Sequence, residues 1–250
     1  QRSVRARVPV TSVRESRDVD SPHRDVGVII VAGGSSLRTG GEELKQFRWV
    51  AGKPMLLHSV QTFMARPDVG MVVVVLPQRF AGDPPPWLFQ CDVDRLLVSV
   101  GGRTRSESVA NGLDDLPDEA EVVLVHDAAR PLVGTATIDR VVAAVRAGTS
   151  AIAALPVVDT LKEVDSDGLI RHTVDRDGLW RAQTPQGFPR RVLVDAHRRA
   201  RADRVTATDD AALLERLGIP VRVVRGSERA LKVTEAADFA RVESLVALDE

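Results

Sequence analysis

The sequence contains no tyrosine, a single cysteine (Cys91) and only four lysines, Lys45, Lys53, Lys162 and Lys232, among 34 basic residues. Without tyrosine no step can rest on a phenol. One cysteine allows neither an intramolecular disulfide nor a thiolate metal cage. Neither sign of charge is in excess, with 34 Lys and Arg against 35 Asp and Glu over 250 residues. Nucleic-acid and membrane-surface binders usually carry a large basic excess, so neither partner is expected. No apolar run approaches the roughly 20 residues of a membrane span. The first 25 residues lack the apolar core of a secretory signal, and Glu15, Asp18 and Asp20 are foreign to an organelle transit peptide. A soluble, cytoplasmic protein is expected. A lysine kept in so arginine-rich a chain marks a position where a compact ammonium can matter, because Arg does not imitate it.

What is present is an alternating grammar. Val28–Val31, Met71–Leu76, Leu96–Val100, Val122–Val125 and Ala151–Val157 are short β-branched runs bounded by turn residues. Runs of this kind, apolar without alternation, suit strands buried on both faces of a parallel sheet. Helix-period segments lie between them at Met55–Met64, Ser106–Leu116 and Ile138–Ala147. The pattern predicts an α/β fold with a doubly wound, mostly parallel sheet. At Asp159 the beat breaks. Thr160–Val164 and Leu169–Val174 flank the turn Asp165-Ser166-Asp167-Gly168, which predicts an inserted β-hairpin arm. Helices are expected again at Arg190–Arg201, Asp209–Leu217 and Glu235–Leu248, and strands at Val221–Val224 and Ala230–Val233. The expected organisation is a flexible extension over 1–25 and one domain over 26–250, with the arm projecting at about 159–184.

Three loops could carry chemistry. The glycine loop after the first strand, Ala32 to Gly41, carries Arg38 and is followed by Lys45. It contains neither GxGxxG nor GxxxxGK[ST], since Gly52-Lys53 runs into Pro54. Such a loop can offer backbone N–H groups to phosphate, or it can be a surface loop with solvated charges. Val125-His126-Asp127-Ala128-Ala129-Arg130-Pro131 ends a strand. There a carboxylate can share Mg²⁺ with a triphosphate, or Asp127 can cap a turn and pair with Arg130. His126 reads as structural, because no second His or Cys stands at metal spacing. Gly101-Gly102-Arg103-Thr104-Arg105-Ser106-Glu107-Ser108 opens a helix, either as a ligand loop or as a plain Ser cap. Thr208-Asp209-Asp210-Ala211 reads as a helix start with acids at the positive end of the dipole.

In order along the chain these loops resemble the 2-C-methyl-D-erythritol 4-phosphate cytidylyltransferase family. The likeness runs from about Val26 to about Val246. It is carried by the glycine loop with Arg38, Leu44-Lys45-Gln46-Phe47, Gly52-Lys53-Pro54, Gly101-Gly102 with Arg105 and Ser108, and Val125–Pro131. It continues through Asp159-Thr160-Leu161-Lys162, Thr173–Trp180, Thr184–Phe188, Thr208–Ala211 and Leu231-Lys232-Val233-Thr234.

The resemblance implies a Rossmann-like nucleotidyltransferase that moves CMP from CTP to the phosphate of 2-C-methyl-D-erythritol 4-phosphate and releases pyrophosphate, in isoprenoid precursor synthesis. It implies Arg38 and Lys45 as catalytic residues and Asp127 as ligand of Mg²⁺ or another divalent cation. Ala32, Gly33, Gly34, Gly102, Arg103, Ser108 and Ala128 are implied around CTP, and Thr160, Arg176 and Lys232 around the sugar phosphate. It further implies a homodimer through the arm, with Thr160 and Arg176 serving the neighbour's site.

This sequence also departs from the family pattern. Gly33 stands for Ala, Ser36 for Gly, Thr39 for Met and Leu44 for Pro. Arg103 replaces a small or acidic residue, and Ala230 an Asn. Two alternatives are a ribitol 5-phosphate cytidylyltransferase and an inactive nucleotide-binding paralogue. A fused cyclodiphosphate synthase domain is not expected, since the chain stops at Glu250 after its closing helix.

Overall fold

The computed structural model describes residues 23–33 and 44–248. Arg38, Gly34, Ser36 and the extension before residue 23 lie outside them. In chain order the elements are β1 (Val26–Val31), the short pair β2 (Trp49–Val50) and β3 (Lys53–Pro54), α1 (Met55–Met64), β4 (Val69–Leu76) and α2 (Gln78–Ala81). Then come β5 (Leu96–Val100), α3 (Arg105–Asp115), β6 (Val122–Asp127), α4 (Thr135–Arg146), β7 (Ser150–Pro156), β8 (Leu161–Val164), β9 (Ile170–Val174) and β10 (Trp180–Pro189). The chain closes with α5 (Arg190–Ala202), α6 (Ala211–Arg216), β11 (Val221–Arg225) and α7 (Ala236–Ala247).

Seven strands form one sheet in the order β11-β7-β10-β6-β1-β4-β5. The unbroken apolar runs follow from burial on both faces. Successive β1 residues alternate sides: Val28 and Ile30 pack with Leu56, Val60 and Phe63 of α1 and Ile138 and Val141 of α4. Ile29 faces the opposite way, with Val109 and Leu113 of α3 and Leu193 of α5. At Gly112 of α3 an added Cβ would stand 2.7 Å from Ile29 Cγ2 and 2.9 Å from Val75 Cγ2, so glycine sets how closely α3 approaches the sheet. The sheet is thus doubly wound and mostly parallel, as its sequence pattern predicts.

Two expectations need correction. The segment from Trp180 to Pro189 forms the strand β10, which the periodicity does not announce. It lies antiparallel between β6 and β7. Its register shifts between Ala182 and Gln186, and residues 183–185 pair with neither neighbour. A bulge of this kind re-aims side chains out of the ladder, and with two prolines it erases the usual strand signature. Ala230–Val233, expected as a strand, is instead an extended loop. Its first and last carbonyls are taken by side chains: Arg130 Nη1 donates to Ala230 O at 2.8 Å, and Lys45 Nζ to Val233 O at 2.6 Å.

The expected hairpin is present as β8 and β9, paired antiparallel with Lys162 opposite Thr173. Its turn is held by Asp165 Oδ1, which accepts from the backbone N–H of Asp167 and Leu169, and Gly168 supplies φ +83°. Val164, Leu169 and Ile170 are all at least half exposed in the single chain.

Candidate active site

Open parallel sheets bind ligands beyond the carboxyl ends of their strands. Here β1, β5 and β6 end around a cleft of about 330 Å³. The backbone stays held as it leaves the strands. Ala32 N–H donates to Val75 O, Gly101 N–H to Leu76 O, and Ala128 N–H to Val31 O. At Ala32, Gly101 and Ala128 the rim is therefore an extension of the sheet.

Parallel pairing of β1 with β6 sets Asp127 opposite Val31, at the cleft floor. Its side chain is 14% exposed; Oδ2 accepts from Lys232 Nζ at 2.8 Å and Oδ1 from Arg105 Nε at 3.4 Å. Burial acts to raise the Asp127 carboxyl, but the Arg105 and Lys232 charges outweigh it and hold it well below the ordinary carboxylate range. The ion pair with Arg130 weighed on sequence grounds is not formed. The Arg130 guanidinium donates instead to Ala230 O and Ala182 O.

His126 serves the scaffold. It is fully buried, packs edge-on against Phe63, and places Nε2 3.1 Å from Arg130 O and Nδ1 2.9 Å from Thr184 Oγ1. A carbonyl only accepts, so Nε2 carries the hydrogen and Nδ1 accepts from the Thr184 hydroxyl. That hydroxyl in turn accepts from Asp127 N–H at 3.1 Å. The bulge in β10 thereby reaches the cleft floor. Burial lowers the His126 pKa to about 4.

The glycine turn after β5 is shaped by α3. At Gly102 an added Cβ would lie 2.3 Å from Glu107 Cβ, which leaves room only for glycine. The helix cap is Thr104, whose Oγ1 accepts from Glu107 N–H at 3.0 Å, and not a serine. Ser108 Oγ accepts from Gly102 N–H and donates to Thr104 O. Glu107 pins Arg103 through its backbone N–H at 2.7 Å while the Arg103 side chain stays exposed. On the opposite wall, Gln46 Nε2 donates to Ala32 O, and Lys45 reaches Val233 O.

The expected residues Ala32, Gly33, Lys45, Gly102, Arg103, Ser108, Asp127, Ala128 and Lys232 all line this one cleft. Thr160 and Arg176 do not; both are exposed on the arm. Arg38 and Gly34 lie outside the described residues. Sequence reasoning gave no role to Arg105, Thr184 or Gln46. Arg105 follows Gly101-Gly102 in the loop that opens α3, and its carboxylate partners, distant in sequence, are what give it a role. Among the described residues, four cations (Lys45, Arg103, Arg105, Lys232) and one carboxylate line the cleft. No group of three or more His, Cys, Asp or Glu forms a metal cage among them.

The buried, neutral His126 makes a stability prediction. Unfolded histidine titrates near 6.5, so protons bind the unfolded chain first as pH falls, and stability present above about pH 6.5 is lost towards pH 4. Between pH 7 and pH 5 the parent should lose about 2 kcal/mol more than a His126→Gln variant in urea unfolding. Equal losses in both proteins would mean that His126 is not held neutral.

The sequence profile of the family described as 2-C-methyl-D-erythritol 4-phosphate cytidylyltransferase matches residues 26–247. The chain is 44% identical over 222 residues to the protein of that name from Salinibacter ruber, covering 88% of this chain and 92% of the relative. Identity to that of Syntrophus aciditrophicus is 40% over 228 residues, covering 90% and 97%. The crystal structure of 2-C-methyl-D-erythritol 4-phosphate cytidylyltransferase from Thermus thermophilus matches with a TM-score of 0.75 at 35% identity, covering 89% of this chain and 99% of that one. By profile, sequence and fold together, the chain belongs to the 2-C-methyl-D-erythritol 4-phosphate cytidylyltransferase family.

Proposed function

We propose that this chain transfers CMP from CTP to the phosphate of 2-C-methyl-D-erythritol 4-phosphate, releasing pyrophosphate for isoprenoid precursor synthesis in the cytoplasm. The observation that carries this reading is the charge of the cleft, four cations to one carboxylate, at the ends of parallel strands. A polyanion is the ligand such a site suits.

The chemistry asks for little else. A phosphate monoester is already anionic near neutral pH and attacks without a general base. His126, the histidine nearest the floor, has both ring nitrogens engaged and is buried, which is consistent with a reaction that needs no proton acceptor. The obstacle is two anions approaching each other, so positioning and fixed positive charge supply the catalysis. In this reading Lys45, with Arg38 from the glycine loop, stabilises charge on the phosphorus centre. Ala32, Gly33, Gly34, Gly102, Arg103, Ser108 and Ala128 surround CTP, and Lys232 meets the acceptor phosphate.

Asp127 suits a divalent cation. It is a single ionised carboxylate at a strand end facing the cleft, and Mg²⁺ is commonly held by one or two carboxylates together with substrate phosphates. When bound, Mg²⁺ or a similar ion supplies neutralisation of the triphosphate charge.

The arm completes the site in a homodimer. Thr160 and Arg176 stand away from their own cleft, and the arm carries exposed apolar side chains, Val164 at 50%, Leu169 at 66% and Ile170 at 64%. Exposed apolar surface of this kind favours a protein partner, here a second copy whose acceptor site receives the two polar residues.

Purified protein with CTP, Mg²⁺ and methylerythritol phosphate should release pyrophosphate, and ribitol 5-phosphate should be turned over far more slowly. Lys45→Met should lower kcat about a hundredfold, on the order of 3 kcal/mol. Turnover of ribitol phosphate alone, or CTP binding without pyrophosphate, contradicts the reading. Arm exchange predicts complementation: Lys45→Met and Arg176→Ala proteins, each slow alone, should regain activity when mixed and re-equilibrated. A mixture no faster than its components contradicts the exchange.

A further inference from the structure

The two acids that open α6 divide their work. Asp209 Oδ1 accepts from Ala212 N–H at 3.0 Å and Oδ2 from Gln186 Nε2 at 2.8 Å, so Asp209 meets the helix-start expectation. Asp210 makes no capping bond. Its carboxylate is 1% exposed and turns inward, where Oδ2 accepts from Arg105 Nη1 at 2.7 Å and Oδ1 from His197 Nε2 at 2.9 Å. Gln186 Oε1 holds its backbone N–H at 3.1 Å. Burial alone raises the Asp210 carboxyl, but the His197 hydrogen bond and the Arg105 charge bring it below the ordinary range.

Arg105 therefore lies between two carboxylates, Asp127 on the cleft side and Asp210 behind. The contact behind is the shorter, 2.7 Å against 3.4 Å. Freed of that anchor, a guanidinium beside Asp127 would close on it with two parallel N–H donors, the preferred arginine–carboxylate geometry. Arg105 would then be drawn off the cleft wall onto Asp127, in competition with Lys232 for Oδ2. A cation fixed before substrate arrives also costs no reorganisation during the reaction.

We propose that Asp210, oriented by His197, is a positioning residue that draws Arg105 back from Asp127, keeping Arg105 a fixed cation of the cleft wall whose contact with Asp127 stays long. The proposal rests on the cytidylyltransferase reading for its effect on rate, and on geometry alone for its effect on Arg105.

The test pairs kinetics with an NMR signal from the substrate-free protein. Asp210→Asn keeps the shape and should lower kcat at least tenfold while KM for CTP changes less than threefold. The Arg105 Nε–H resonance should be sharp and displaced from the exposed arginines in the parent, and should move or broaden in Asp210→Asn. His197→Gln, which keeps a donor, should retain both properties, and His197→Leu should lose them. An Arg105→Lys/Asp210→Asn double variant should be no slower than Arg105→Lys alone. Multiplying effects in the double variant, or an unmoved Arg105 signal in Asp210→Asn, overturns the proposal. If Asp210→Asn does not fold, an identical rate and Arg105 signal in the two His197 variants overturns it instead. A parent that releases no pyrophosphate defeats the cytidylyltransferase reading, and the Arg105 signal still decides the positioning.

Discussion

An ionised carboxylate in a largely buried position has to be compensated, because burial penalises charge heavily unless partners stand close. Asp127 meets that condition through Arg105 and Lys232, which arrive from opposite directions along the chain. Much of the architecture around the cleft can be read as what is needed to bring those two cations to the end of β6. Arg105 starts α3, whose approach to the sheet Gly112 permits. Lys232 sits in a loop tied down by Arg130 at Ala230 and paired through Val233 N–H to Ala129 O. Gln183, in the irregular stretch of β10, clamps the start of that loop. Its side-chain amide donates to Ser227 O and accepts from Ser227 N–H.

The antiparallel strand β10 has a larger part than its place in the sheet suggests. Leaving the ladder at residues 183–185 lets Gln183 hold the Lys232 loop and Thr184 bridge His126 to the Asp127 backbone. Gln186, back in the ladder, holds Asp209 and Asp210. Three nearby side chains of one strand thus link the Lys232 loop, the carboxylate and the helix start behind Arg105. Scaffold and site are continuous here, and a change at any of the three should reach the cleft.

How much of this could be read in advance follows from range. The strands β1, β4, β6 and β7 declare themselves because both faces are buried and each run is locally apolar; β5, at the sheet edge with Leu97 and Val100 exposed, does so by its apolar run alone. The hairpin declares itself through Asp165-Ser166-Asp167-Gly168. The cleft residues were legible as loops at strand ends, and nine of the expected positions meet in one place. What stayed hidden depends on partners far along the chain. Arg105 and Asp210 are 105 positions apart, and nothing in either neighbourhood forecasts their pairing. The Ala230–Val233 run has strand composition but gives its first and last carbonyls to Arg130 and Lys45. β10 carries prolines and a glycine, the latter because Val141 Cγ1 would stand 2.5 Å from a Cβ at Gly187.

Fixed charge in place of proton transfer, as proposed for this cleft, bears directly on the pH dependence of the rate. The decisive measurement is kcat/KM for methylerythritol phosphate from pH 5.5 to 9. Catalysis by fixed charge predicts a single rise near pH 6, where the acceptor phosphate loses its second proton, followed by a flat plateau. A further limb between pH 6.5 and 9 that an enzyme substitution displaces would reveal an essential acid or base on the protein and contradict it.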